Sequence, residues 1–432
     1  MSKQPVNSTE NSTSATGAGG VSPRSHLAKA CGTMKFTSDL VMPAMLYGKA
    51  LRSPHPHCEI RNINLQPALY IPGVHSIITA DEIPGENIIG KEIEDQEFIS
   101  SSRARSVMDA LAIVAAESEQ IATRAIDAIE LDLKPLPAVF DPEEALLPGA
   151  PCVHKGGNLA YEFRIEHGDA ATAMQAADFV VENRYQFPWI EHAFIETESV
   201  VASPDKDGRI SVWLGCHNLY GERATLARAF GWAEECFRVM LVPAGGSFGG
   251  KDDNLIAVWA ALLARRTGRP VRISFDREES IRGHSKRHSQ VVHHKIGLDR
   301  DGRLLAAEVN ILSDTGAYAH WGPGIIRFAS LQSTGPYRVP NASVHTRLVY
   351  TNNIVAGAMR GWGTPAVEYA SEVQMDIAAQ KLGMHPLEIR WINALRDGDE
   401  TITGRTVPPG CYLRDTLQAA AQTTGVSLMD RP

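Results

Sequence analysis

No stretch of this chain approaches the roughly 18–20 continuous apolar residues that a membrane helix requires, and the N-terminus lacks the apolar core of a secretory leader. No C-x-x-C pair occurs among its six cysteines, Cys31, Cys58, Cys152, Cys216, Cys236 and Cys411. That removes the usual ligand spacing of zinc ribbons and iron–sulfur clusters. The cysteines read as reduced thiols of a cytoplasmic protein, and the sequons at Asn7, Asn11 and Asn341 as chance matches. Positive charge is also short: 42 Lys plus Arg stand against 50 Asp plus Glu, a formal charge of −8. Phosphate recognition needs a basic face, so a nucleic-acid partner is not expected. A repeat of fixed period is absent, which gives no support to a solenoid or propeller.

What is present is enough for a large core. The 432 residues are 44% hydrophobic, and single cores stop growing near ~250–300 residues, so more than one domain is expected. Residues 1–27 are Ser, Thr, Asn and Gly with little to bury, and read as a disordered tail. From 28 to 147, short strands (Leu46 to Leu51, Val74 to Thr79, Leu111 to Ala115, Ile129 to Leu133) surround one helix, Ser118 to Ala128, a small α+β domain. The Pro- and Gly-rich stretch 141–157 has the composition of a connection. Beyond it, 158–432 forms a mixed α+β domain. Strands are expected at Ile210 to Leu214, Phe237 to Val242, Val271 to Phe275, Val291 to Ile296 and Leu304 to Leu312, and helices at Leu255 to Arg266 and Ala366 to Leu382.

Two glycine-rich segments carry the chemistry. Residues 244–253, Ala-Gly-Gly-Ser-Phe-Gly-Gly-Lys-Asp-Asp, lie between an apolar strand and a helix. Glycines there let backbone N–H groups approach an anion at a helix start. Gly245 and Gly250-Lys251 fit G-x-x-x-x-G-K, but Asp252 stands where a hydroxyl should hold Mg²⁺, and a carboxylate there repels phosphate. A turn that serves only packing is the alternative. The second segment, Gly357 to Pro365, precedes the other helix. Its Arg360 offers planar donors and its Trp362 a stacking face, although an Arg beside a Trp also occurs as a surface cation–π pair.

Taken together, Gly245 to Asp252 resembles GGGFGGKE, and Ala358 to Pro365 resembles AFRGFGGP, of the molybdenum-binding subunit of the xanthine dehydrogenase and aldehyde oxidase family. Leu46 to His57, Asp314 to Tyr318 and Leu382 to Arg390 are similar to further family segments in the same order, so the resemblance spans about 31–425. It implies a hammerhead-like α/β domain over 28–147 and, over 158–432, the first half of the family's molybdopterin-binding region. It also implies hydroxylation of an electron-poor carbon with water-derived oxygen, the redox chemistry being the cofactor's. By position, Gly246, Ser247, Phe248, Gly249, Arg360 and Gly361 bind the cofactor, with Phe248 and Arg360 at the molybdenum through backbone groups. Asp252 and Trp362 then face substrate.

The departures are informative. The family's oxo-bonding Gln falls at Ile190, and its ring-orienting Arg at Phe328, with Arg327 one residue away as the substitute on the substrate side; xanthine is thus disfavoured. Gly361 replaces the copper-binding Cys of the carbon monoxide branch. The family's catalytic Glu has no counterpart, so no catalytic residue is assigned here and the base is expected on a partner. The length is similar to the large molybdopterin subunit of nicotinate dehydrogenase, which implies a split molybdenum protein. Its cofactor would be molybdopterin, as the cytosine dinucleotide. Its partners would be a second molybdopterin chain, a [2Fe–2S] chain, an FAD chain and a small-molecule substrate. An N-heteroaromatic substrate leads, an aldehyde is the alternative, and a non-catalytic remnant is the third reading. Two metal-like clusters get bland assignments. His284, His288, His293 and His294 read as a polar strand edge, and one acid among Glu191, Glu196 and Glu198, beside His192, as a cofactor buttress or funnel residue.

Overall fold

The computed structural model describes residues 23–252 and 255–428. Most of the expected tail lies outside them, but its last residues do not stay irregular: Pro23–Ala30 is helical. Pro at the first helical position presets φ, and Leu, Ala and Lys follow as good helix formers.

All seven residues of strand Ala110–Ala116 are buried, and a strand with no polar face belongs inside a covered sheet. It pairs antiparallel with Val74–Ile78 and Leu46–Arg52, and the latter pairs parallel with Val271–Ser274. Ser199–Pro204, Ile210–Leu214 and Phe237–Leu241 complete a seven-stranded sheet. Strands from both sides of 141–157 therefore share one sheet. Helix Leu255–Thr267 covers it, with Ile256 to Ala264 all buried; a helix apolar all round is a core helix. The approach is close at Gly48, where a Cβ would stand 2.6 Å from Ile273 and 3.2 Å from Leu263. At the centre, buried Trp259 donates its indole N–H to the Phe98 carbonyl at 2.9 Å.

A five-stranded sheet runs Phe179–Phe187, Ser289–Leu298, Leu304–Gly316, Ala342–Tyr350, Leu159–His167. Helix Thr364–Leu382 packs on it through Val367, Ala370, Met375 and Ala378. The same helix fully buries Gln374, whose amide donates to the Val181 and His294 carbonyls and accepts from Asn183 and Tyr185. Every polar capacity is used, which is what makes a buried amide tolerable. A short hairpin, Ile89–Gly90 with Glu94–Gln96, stands between the two sheet systems. Glu92 pairs with Arg327, Glu86 and Glu94 with Arg228, and Asp95 accepts from Tyr350 and from the Ala319 N–H.

Ile210–Leu214 and the Ser118-capped helix Glu119–Ala128 fall where the periodicity puts them. Strand Cys58–Asn64 escaped it, because only Cys58 is fully buried and its remaining residues mix polar and apolar. The histidine reading is overturned. Ser289–Leu298 is an inner strand, flanked on both sides, so His294 is buried, as are His284 and His288 just before the strand, and only His293 faces outward.

Trp259→Ala should lower the unfolding free energy by about 3–5 kcal/mol, the usual cost of emptying an aromatic core site. Urea unfolding reads this as a lower midpoint; a loss under about 1 kcal/mol would contradict the packing described.

Candidate active site

The two glycine segments end in the same place because each turns where a side chain cannot follow. Gly246, Gly249, Gly361 and Gly363 have positive φ, and so do the non-glycines Phe248 (52°) and Trp362 (48°). Such residues persist only where their surroundings fix them. The loops meet directly: the Arg360 N–H donates to the Phe248 carbonyl at 2.8 Å. A Cβ on Gly249 would lie 2.6 Å from the Ala358 carbonyl oxygen. Among the described residues, the N–H groups of Gly246, Ser247, Phe248, Gly249 and Gly361 donate to no protein acceptor. Consecutive N–H groups with alternating φ form a nest for anionic oxygen. The Arg360 N–H, expected at the metal, is thus engaged by the Phe248 carbonyl in this structure. The Arg360 carbonyl accepts from the Arg287 guanidinium at 2.7 Å, and the Arg360 side chain is exposed.

Beneath the loops runs an irregular extended segment, 190–198. His192 donates from Nε2 to the Ala358 carbonyl at 2.8 Å, and its ring lies where a Gly250 Cβ would come within 3.0 Å. Fully buried Phe194 supports Gly246 and Gly250 in the same way, at 2.9 and 2.8 Å. Glu196 accepts the Gly245 N–H at 2.6 Å and pairs with Lys251 at 2.9 Å, so it buttresses the loop. Lys251 is turned inward, 4.8 Å over the Phe194 ring. Burial drives the His192 pKa down to about 4, leaving the ring neutral at pH 7. Ile190, at the family's Gln position, is 41% exposed, and its carbonyl accepts from the Arg287 N–H.

A cavity of 370 Å³ brings Asp252 and Trp362 together with Ile89, Lys91, His217 and Trp321. The Trp321 and Trp362 rings meet edge to face at 5.3 Å, and the Lys91 ammonium lies 5.2 Å over Trp321. Asp252 is nearly buried and sits 3.2 Å from His217 Nδ1. Arg327 does not line this cavity; its guanidinium grips Glu92 with two bonds of 2.6 and 2.7 Å, and its Nη2 and the Trp362 ring both come within 4 Å of a Cβ built on Gly324. Sequence reasoning missed Lys91, His217 and Trp321. Trp321, just before a glycine- and proline-led helix, carried the one usable signal, while nothing local tied Lys91 to Asp252.

The Molybdopterin cofactor-binding domain family matches residues 153–394, and the a/b hammerhead domain of aldehyde oxidase and xanthine dehydrogenase matches 31–137. The nicotinate dehydrogenase large molybdopterin subunit of Eubacterium barkeri is 37% identical over 396 residues, covering 92% of this chain and 93% of that one. A probable xanthine dehydrogenase subunit of Bacillus subtilis (strain 168) is 42% identical over 371 residues, 86% of this chain and 50% of that one. The aldehyde oxidoreductase of Desulfovibrio gigas superposes with a TM-score of 0.88 at 30% identity, over 92% of this chain and 45% of that one. The chain thus spans nearly all of the nicotinate dehydrogenase subunit and about half of the other two. Unspent loop amides, and glycines where a Cβ would strike a carbonyl, fit an oxygen-rich pterin cofactor. The chain belongs to the aldehyde oxidase and xanthine dehydrogenase family and carries its molybdopterin cofactor-binding domain.

Proposed function

We propose that this chain forms the first part of the molybdopterin envelope of a cytoplasmic, multi-subunit molybdenum hydroxylase acting on an N-heteroaromatic ring, nicotinate- or purine-like. Its partners are a second molybdopterin chain that brings the catalytic Glu, a [2Fe–2S] chain and an FAD chain, and its pterin is the cytosine dinucleotide. No described helix is long and apolar enough to cross a membrane. The observation that carries the reading is the cavity that joins Asp252 to the Trp321–Trp362 pair beside the two glycine loops.

When bound, the cofactor supplies oxygen transfer to carbon and accepts two electrons. The chain's own residues do the rest. The amides of Gly246, Ser247, Phe248, Gly249 and Gly361 would hold pterin and oxo oxygens, and Phe248 and Arg360 would stand beside the metal. Trp362 presents its face to a flat ring, whose positive edge suits edge-on Trp321 less than the Trp362 face. Asp252, 3.2 Å from His217 Nδ1, would accept an N–H from a purine-like ring, whereas a nicotinate-like ring nitrogen carries no hydrogen to give it. An aldehyde substrate is the second reading, and Arg327 favours it: held by Glu92, its guanidinium is not offered to orient a ring.

Gly249→Ala should lower the molybdenum content of the assembled complex by about tenfold or more, because its Cβ meets the Ala358 carbonyl at 2.6 Å from a φ of 103°. Full occupancy, measured by metal analysis, would remove the loops from the cofactor site.

Trp362→Ala should reduce kcat/KM for a heteroaromatic substrate by about ten- to a hundredfold, roughly 1.5–3 kcal/mol of lost burial and stacking. Small aliphatic aldehydes, which cannot stack, should lose much less. Equal losses in the reconstituted complex would return the aldehyde reading to first place.

A further inference from the structure

Ala193 is an alanine at φ 51°, in the turn that seats His192 and Phe194 under the loops. Glu191 holds it, accepting the Ala193 N–H at 3.0 Å. Glu191 is held in turn by Lys286 Nζ at 2.8 Å and faces His284 Nε2 at 3.1 Å. On the other side of the buried imidazole, Nδ1 donates to the Ser280 carbonyl at 2.5 Å and lies 2.8 Å from Glu198. What faces the two ring nitrogens is thus one carbonyl and two carboxylates, groups that accept and cannot donate. Nδ1 donates to the carbonyl, and Nε2, without a hydrogen bond of its own, stands at ion-pair distance from Glu191, so the carboxylates on both sides favour the imidazolium.

The neighbouring charges agree. Burial opposes the positive ring, and Glu191 and Glu198 outweigh it, so its pKa is raised; Lys286 works against them. Arg52, whose guanidinium lies against Gly283, is the other nearby cation, and His320 and Gln96 face His284 across a small cavity. His192, its ring 5.3 Å away, is the opposite case, neutral and with a buried Nδ1 that has no hydrogen-bond partner. Ligand atoms of Glu191, His192 and His284 lie within 4.8 Å of one another. A divalent cation would have to displace the His284 proton beside the Lys286 ammonium, so the proton occupies that place.

We propose that His284, as a buried imidazolium clamped between Glu191 and Glu198, is the positioning residue that locks segment 190–198 beneath the glycine loops and so sets how tightly the chain holds its cofactor. This rests on the cofactor assignment above. Nitrogen-15 spectra of the histidine-labelled full chain at pH 7 should show both His284 nitrogens protonated. In the assembled complex, His284→Gln should speed cofactor release by about tenfold, the worth of one charge-assisted contact, while leaving KM of the remaining loaded enzyme unchanged. Wild-type release should quicken as pH rises through the raised His284 pKa, whereas the Gln variant is fast and flat. Should His284→Gln fail to fold, Glu198→Gln provides the second variant, with the ring losing its extra proton at lower pH. A singly protonated ring at pH 7, wild-type release rates in the Gln variant, or one Zn²⁺ per chain bound by wild type and lost in the variant would each overturn the proposal. A complex without molybdenum would instead sink the cofactor reading, and the ring spectra would still decide the state of His284.

Discussion

The hydrogen bond from the Arg360 N–H to the Phe248 carbonyl is the contact on which the site depends. It ties the loop around Phe248 to the loop around Arg360, far apart in sequence, into one surface, and it forms only if both loops keep unfavourable backbone conformations. Ala193, Phe248, His320 and Trp362 all have positive φ without being glycine. Each costs of order 1–3 kcal/mol, and a chain tolerates such a cluster only over a support that cannot relax. Segment 190–198 is that support: Phe194 and His192 fill the space beneath the glycines, Glu196 takes the Gly245 amide, and Glu191 takes the amide of its own strained turn. The result is a rigid surface whose remaining N–H groups are left to a ligand, an arrangement that costs stability in the free chain and binds without reorganisation.

Lys251 shows how a motif can match in letters and fail in physics. In a phosphate-binding loop the Lys points at the ligand, and its charge is the reason it is there. Here its side chain is 3% exposed, paired with Glu196 and stacked over Phe194. The charge is neutralised internally, so the loop meets its ligand with backbone dipoles and not with an ammonium. Asp252, the next residue, faces the cavity. Lys and Asp at 251 and 252 thus divide inward and outward duties that the letter pattern alone would merge.

Legibility followed the range of the interactions. Glycine positions could be read because positive φ and close approach admit little else, and the helices Leu255–Thr267 and Thr364–Leu382 because apolar content and caps are local. The seven-stranded sheet was not legible, since the parallel pairing of Leu46–Arg52 with Val271–Ser274 joins residues more than half the chain apart. Nor were the buried histidines. His284, Lys286 and His288 look like a solvated run, and their burial depends on Glu191 and Glu198 arriving from another segment to offset the charge. The pairing of Arg327 with Glu92 on the hairpin was not legible either, because the two lie 235 positions apart.

That hairpin decides the shape of the cavity, because Ile89 and Lys91 form part of its wall. Its ion pairs look like the natural fastening, but Arg327, Glu92, Arg228 and Glu94 are each more than a third exposed, and exposed pairs contribute at most about 1 kcal/mol. Asp95 is the stronger tether. It accepts from the Tyr350 hydroxyl at 2.7 Å and from the Ala319 N–H at 2.9 Å, both on or beside strands of the five-stranded sheet, and burial raises its pKa despite those bonds. Sheltered bonds to a carboxylate lose more when broken than surface pairs do. The hairpin is therefore pinned chiefly at its C-terminal strand, through Asp95, and that anchor fixes the wall that Ile89 and Lys91 give the cavity.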